Sequence, residues 1–198
     1  YSASRAADDR FVGWHLRTRA ALLITLTCSL RAQSELHQMT DDTILRVDDD
    51  GIVVRLPLTK NRRHRDIVIR PRSDELCPLT ALTEWLAWLD QHGLVRPGGA
   101  LLPAVNRRLR LADPKFLQPS GREMKSWWYP CRDYLTGLGY DMTGVRLHGL
   151  RSSAITEAVA EGWSHTRLRD LGGWGSLNVA AGYARTGDPG IDLYERRD

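Results

Sequence analysis

This sequence predicts a mainly α domain with a small antiparallel β-meander (α+β). Three observations carry that prediction. Apolar residues recur at helical spacing in the first part of the chain. Short β-branched runs separated by turn residues follow in the next stretch. The helical period then returns, punctuated by Gly and Pro.

In chain order, residues 9–28 read as a helix: Asp8 and Asp9 suit its start, and Phe11, Leu22, Leu23 and Leu26 supply an apolar face. A second helix is predicted through SELHQM (34–39), ending near Thr40-Asp41-Asp42. ILRV (44–47), IVVRLPL (52–58) and RDIVIR (65–70) form the meander, with DDDG (48–51) as a tight hairpin turn and KNRRH (60–64) as a longer basic one. Residues 78–92 return to helix, because Leu82, Trp85, Leu86 and Leu89 share a face and Gly93 stops the run. Pro97, Gly98, Gly99, Pro103, Pro114, Pro119 and Gly121 make 94–121 a long loop region. Met124, Trp128, Cys131 and Leu135 mark the next helix face, and GLGYDMTG (137–144) the loop after it. Helices are predicted at about 148–161 and 164–171; Gly172-Gly173 breaks the second, and Ser176 caps a last helix through Tyr183.

The chain has 198 residues, 42% hydrophobic and 26% charged, which suits one domain over 1–198 with a real core and excludes a disordered or disulfide-knotted chain. The longest apolar stretch, AALLITLTCSL (20–30), is too short to cross a bilayer, so no membrane association is expected. Cys28, Cys77 and Cys131 form no CxxC pair, so neither a zinc site nor a disulfide framework is expected, and a reducing cytoplasm is the expected compartment. The chain opens on Tyr1 rather than Met, which suggests an excised domain. The net charge is +4, with only three lysines (Lys60, Lys115 and Lys125) among 28 basic residues. The arginine bias is a matter of composition, but it makes a retained lysine informative: lysine can release a proton near neutral pH and arginine cannot.

Several segments carry candidate chemistry. LHGLRSSAITEAVAEG (147–162) sets His148 and Arg151 three apart at a helix start, where both can address one anion. LGGWGSLNVAAGY (171–183) places Trp174 after a glycine pair and Tyr183 nine positions later. Upstream, SLRAQSEL (29–36) holds Arg31, and LTKNRRHRDI (58–67) puts Lys60 at a strand end.

Taken in order as Arg, Lys, His-x-x-Arg, Trp and Tyr, this set resembles the catalytic domain of the tyrosine recombinase (phage integrase) family, from about residue 10 to 186. LRAQSEL matches the family's first arginine motif, LTK its hairpin lysine, HGLR its HxxR box, GWGS its GHxS or GWxS box, and Tyr183 its nucleophile. In one departure, Glu35 lies four residues after Arg31 where the family's acidic residue usually lies three after; both offsets keep the pair on one helix face. Trp174 stands where the family often has a second His, a substitution the family also shows.

The resemblance implies site-specific cleavage and rejoining of double-stranded DNA by a homo-oligomer, a tetramer on paired sites. It also implies that an amino-terminal core-binding domain is absent from this chain. Arg31 and Arg151 would neutralise the non-bridging phosphate oxygens. Tyr183 would attack phosphorus to give a 3′-phosphotyrosine, His148 would share its proton, Lys60 would protonate the departing 5′-oxygen, and Trp174 would wall the pocket. Neither a metal nor another cofactor is implied, because arginines perform the charge neutralisation. Arg62, Arg63, His64 and Arg65 are expected to track DNA phosphates, with Arg107, Arg108 and Arg110 as a second basic patch. Plainer readings exist: Arg31 as an ion-pair partner of Glu35, His148 as a surface residue, Lys60 as a turn lysine, Trp174 as a core aromatic. A type IB topoisomerase or telomere resolvase uses similar residues, and a non-catalytic DNA-binding module could keep the fold.

Overall fold

The computed structural model describes residues 9–32, 34–56, 64–105 and 127–186. The first helix, α1 (Asp9–Thr27), buries Ala20, Ala21, Leu23 and Ile24. The second, α2 (Pro78–Gln91), starts with Pro78 after Cys77, whose Sγ accepts the Thr80 N–H at 3.3 Å. The two pack closely because Gly13 leaves room for the Trp88 ring: a Cβ at that position would lie 2.5 Å from it. Trp85 stacks on Trp88 with centroids 5.3 Å apart and donates its indole N–H to the Leu101 carbonyl at 3.0 Å. That bond and the burial of Leu101 and Leu102 hold the segment after α2 against the core.

The meander is present as β1 (Ile44–Asp48), β2 (Gly51–Leu56) and β3 (Arg65–Ile69), antiparallel in that order. Asp48–Gly51 forms the first turn, as predicted. Ile52, Val54 and Leu56 of β2 alternate inward, opposite Ile69, Ile67 and Arg65 of β3. The predicted helix over 34–39 is instead a single 3₁₀ turn, Leu36–Gln38. Tertiary pairing cuts it short: the Met39 carbonyl accepts the Leu101 N–H at 2.7 Å and Thr40 bridges Ala100, which forces extended backbone there.

Among the described residues the remaining α-helices are α3 (Trp128–Gly137), α4 (Leu147–Ala160), α5 (His165–Gly172) and α6 (Leu177–Thr186), each close to its predicted place. Ser164 caps α5 by accepting the Arg167 N–H at 3.3 Å, and Ser176 accepts the Asn178 N–H at 3.1 Å before α6. The main core joins α1, the sheet and α2 with Trp127, Trp128 and Leu147. A separate small cluster, Ala158, Leu168 and Ala180, joins α4, α5 and α6. No helix among the described residues is long and apolar enough to cross a membrane.

Candidate active site

The site is built at the carboxyl end of α1. Ser29 has φ 49°, the left-handed region that turns the chain out of the helix, and the Leu30 N–H closes the end on the Thr25 carbonyl at 3.1 Å. Helix ends leave carbonyls without intrahelical partners, and cations are favoured there. Two guanidiniums arrive from distant parts of the chain. Arg65, at the start of β3, donates Nη2 to the Cys28 carbonyl at 2.8 Å and also to the Leu171 carbonyl. Arg151, in the second turn of α4, donates Nη1 to the Ser29 carbonyl at 2.6 Å and Nη2 to the Gly172 carbonyl.

Glu35 lies between them and is fully buried. Its Oε1 is 2.6 Å from Arg31 Nη1, and its Oε2 is 3.0 Å from Arg65 Nη1 and 4.0 Å from Arg151 Nη1. Oε2 also accepts the Arg31 backbone N–H at 2.9 Å. The four-residue offset between Arg31 and Glu35 therefore makes a two-point contact. Three guanidiniums around one carboxylate leave an excess of positive charge, and a donor set of arginines with an imidazole nearby suits an anion rather than a metal ion. Burial pushes the Arg65 pKa down and the Glu35 carboxylate pulls it back up. Burial raises the Cys28 thiol to about 11, against smaller opposing pulls from the Thr27 hydroxyl and the Arg65 charge.

The Gly172-Gly173 pair is more than a helix breaker. Gly173 is left-handed (φ 57°), and a Cβ there would lie 2.9 Å from Arg65 Cδ. At Gly172 a Cβ would meet the Trp174 ring at 2.6 Å. Trp174 in turn faces Arg151, whose guanidinium carbon is 5.6 Å from the ring centroid.

The predicted residues separate into groups. Arg31, Glu35, Arg151 and Trp174 come together in the structure. His148 is exposed in the first turn of α4 and lines the same groove as Arg31. Arg151 is only 2% exposed, so the two residues of the His-x-x-Arg box lie at different depths. Tyr183 lies in α6. Lys60, Arg62, Arg63, Arg107, Arg108 and Arg110 lie outside the described residues.

Arg65 requires a correction. It was expected on the DNA-facing surface beside its basic neighbours, but it is 8% exposed and bonded to Glu35, Cys28 and Leu171. The strand period explains this, because Arg65, Ile67 and Ile69 share the inward face of β3. Alternation in RDIVI was the signal that could have found it. The groove beside the site has a volume of about 480 Å³, and its lining adds Tyr129, Arg132 and Arg146 to Arg31 and His148.

No family model matches the chain, and no curated protein matches it. Solved structures do resemble it. The XerH site-specific recombinase, in a post-cleavage complex with a palindromic difH substrate, aligns with a TM-score of 0.55 at 16% identity, over 86% of this chain and 42% of its own. XerA recombinase aligns with a TM-score of 0.54 at 17% identity, over 90% of this chain and 57% of its own. The Tn1549 transposon integrase bound to transposon right-end DNA gives a TM-score of 0.51 at 16% identity, over 83% and 53%. The fold is that of a tyrosine recombinase catalytic domain, mostly helical with a three-stranded antiparallel sheet. The chain spans roughly half the length of these solved chains.

Proposed function

We propose that this chain is the catalytic domain of a site-specific DNA recombinase or integrase that breaks and rejoins double-stranded DNA through a 3′-phosphotyrosine. The observation that carries the reading is the convergence of Arg31 and Arg151 on one buried carboxylate, at 2.6 and 4.0 Å, beside a groove that His148 also lines. A phosphodiester in that groove would meet Arg31 and His148 directly. Arg151 adds charge from behind; its direct contact with phosphate requires one of its carbonyl bonds to be exchanged for a phosphate oxygen. Tyr183 Oη attacks phosphorus as His148 takes its proton, the bond to the 5′-oxygen breaks, and that oxygen leaves with a proton from Lys60. The phosphotyrosine keeps the bond energy, so a 5′-hydroxyl of a partner strand can reverse the step without a nucleotide cofactor. Strand exchange between two sites calls for several copies of the chain, in keeping with a tetramer on paired sites.

The test is incubation with a nicked duplex, followed by a denaturing gel. A covalent protein–DNA band that survives EDTA and disappears in Tyr183→Phe, with binding retained, supports the reading. A mobility shift with no covalent band from the unmodified chain makes it a DNA-binding module instead. Adducts that persist in Tyr183→Phe and vanish in Tyr194→Phe move the nucleophile to the tail.

A further inference from the structure

The groove that Arg31 and His148 line is shared by residues of three stretches of the chain, at the end of α1, on α3 and at and ahead of the start of α4. Its floor is apolar and buried: Leu30, Trp128 and Leu147 are 1, 3 and 6% exposed. Its arginines come from separate elements: Arg31 after α1, Arg132 on α3 and Arg146 just ahead of α4. Among the described residues, no aspartate or glutamate lines it. The Arg132 guanidinium lies 5.3 Å from the Tyr129 ring centroid, a face that orients it, and 3.6 Å from Asp133. Arg146 is exposed, with extended backbone (φ −120°, ψ 151°) just ahead of the helix.

We infer that this groove holds the DNA strand flanking the reacting phosphate, with Arg132 and Arg146 each binding a further backbone phosphate. The inference rests on the proposed recombinase reading and extends it to two arginines from different elements. Charge complementarity selects the occupant: a polyanionic strand satisfies several separated cations at once and lays its sugars on the apolar floor. These arginines position DNA and take no part in bond breaking. Their loss therefore weakens binding and raises the DNA concentration that cleavage requires.

The experiment measures binding of a short fluorescent duplex by Tyr183→Phe protein as a function of salt. Each phosphate contact contributes about 0.9 to the slope of log affinity against log salt. Arg132→Ala and Arg146→Ala should each flatten the slope by about that amount, and Arg132→Lys and Arg146→Lys should restore it. Arg72→Ala, which removes an exposed arginine paired with Asp74 outside this groove, should leave the slope unchanged. In the Tyr183-containing chain, Arg132→Ala and Arg146→Ala should each raise the concentration of nicked duplex that half-saturates adduct formation. Unchanged slopes in folded alanine variants, or equal flattening in Arg72→Ala, overturn the assignment while leaving the recombinase reading intact if adducts still form. No salt-dependent DNA binding by the Tyr183→Phe chain, with no adduct from the parent chain, overturns both.

Discussion

Arg65 and Arg151 perform the same joining task side by side. Each spans from the carboxyl end of α1 to the carboxyl end of α5, Arg65 through the Cys28 and Leu171 carbonyls and Arg151 through those of Ser29 and Gly172. Consecutive carbonyls at two helix ends are thus met by a pair of guanidiniums, and Glu35 offsets part of their charge.

Removing Arg65 leaves Glu35 short of a buried partner. Arg65→Met should cost about 3–5 kcal/mol in urea unfolding, the range for breaking a buried ion pair from one side. Arg72→Ala, which breaks a surface pair, should cost about 1 kcal/mol or less. Adding Glu35→Gln to Arg65→Met should recover part of the loss, giving a coupling energy in a double-mutant cycle. Equal costs for Arg65→Met and Arg72→Ala would remove Arg65 from the centre of the site.

Gly173→Ala and Gly93→Ala separate backbone strain from crowding. Both glycines are left-handed, with φ of 57° and 62°, but a Cβ at Gly93 meets nothing within 4 Å while one at Gly173 strikes Arg65. Gly93→Ala should cost about 1–2 kcal/mol, the left-handed penalty alone. Gly173→Ala should cost distinctly more and should also reduce DNA cleavage at saturating substrate, because Arg65 is displaced. Identical unfolding curves for the two variants would contradict the close contact.

Cys28 predicts a loss of stability in alkali. Its folded pKa of about 11 lies above its ordinary value of 9.0, so the folded state keeps the proton longer than the unfolded one. The associated stability is fully present below about pH 9 and falls as pH rises toward 11, by about 3 kcal/mol in all. Cys28→Ala should flatten that part of the pH–stability curve relative to the parent chain. In the folded protein near neutral pH, Cys28 should resist alkylation by iodoacetamide. Rapid labelling without unfolding would show that the thiol is accessible.

Lys60 is tested by changing the leaving group. Lys60→Ala should slow cleavage of ordinary DNA by about 100- to 10,000-fold, the usual worth of general-acid catalysis. With sulfur as the 5′-bridging atom, departure needs no proton, and the variant should cleave nearly as fast as the parent. Arg151→Ala should gain no such rescue, because in the proposed mechanism its charge serves the non-bridging oxygens. Equal rescue of both variants would deny Lys60 a specific proton-donating role.

Much of the fold was legible because local periodicity and core burial agree. In α2, Leu82, Trp85 and Leu89 repeat at helical spacing and are all buried; in β2, Ile52, Val54 and Leu56 alternate and all face inward. The 34–39 segment was misread because its end is set by pairing with Ala100 and Leu101, sixty residues on, which no local pattern reports. At the site, motif spacing pointed to Arg31, Glu35, Arg151 and Trp174, which meet. It could not show that Arg151 lies beneath the groove while His148 lines it, since depth depends on where the ends of α1 and α5 fall. Arg65 was hidden by its company: a basic run suggested a surface, while its own strand position placed it inside. Arg132 and Arg146 belong to no motif and become notable only once the fold sets both in the lining of one groove with Arg31.

The division of the apolar interior has a mechanical consequence. Ala158, Leu168 and Ala180 form their own small cluster, apart from the core that holds α1, the sheet and α2. The end of α5 meets the body through directional polar joints made by Arg65 and Arg151. The helix that carries Tyr183 follows directly on that joint, and the small cluster gives α5 and α6 less buried apolar contact than the main core gives α1 and α2. Amide exchange should divide along the same seam, with α5 and α6 exchanging before α1 and α2.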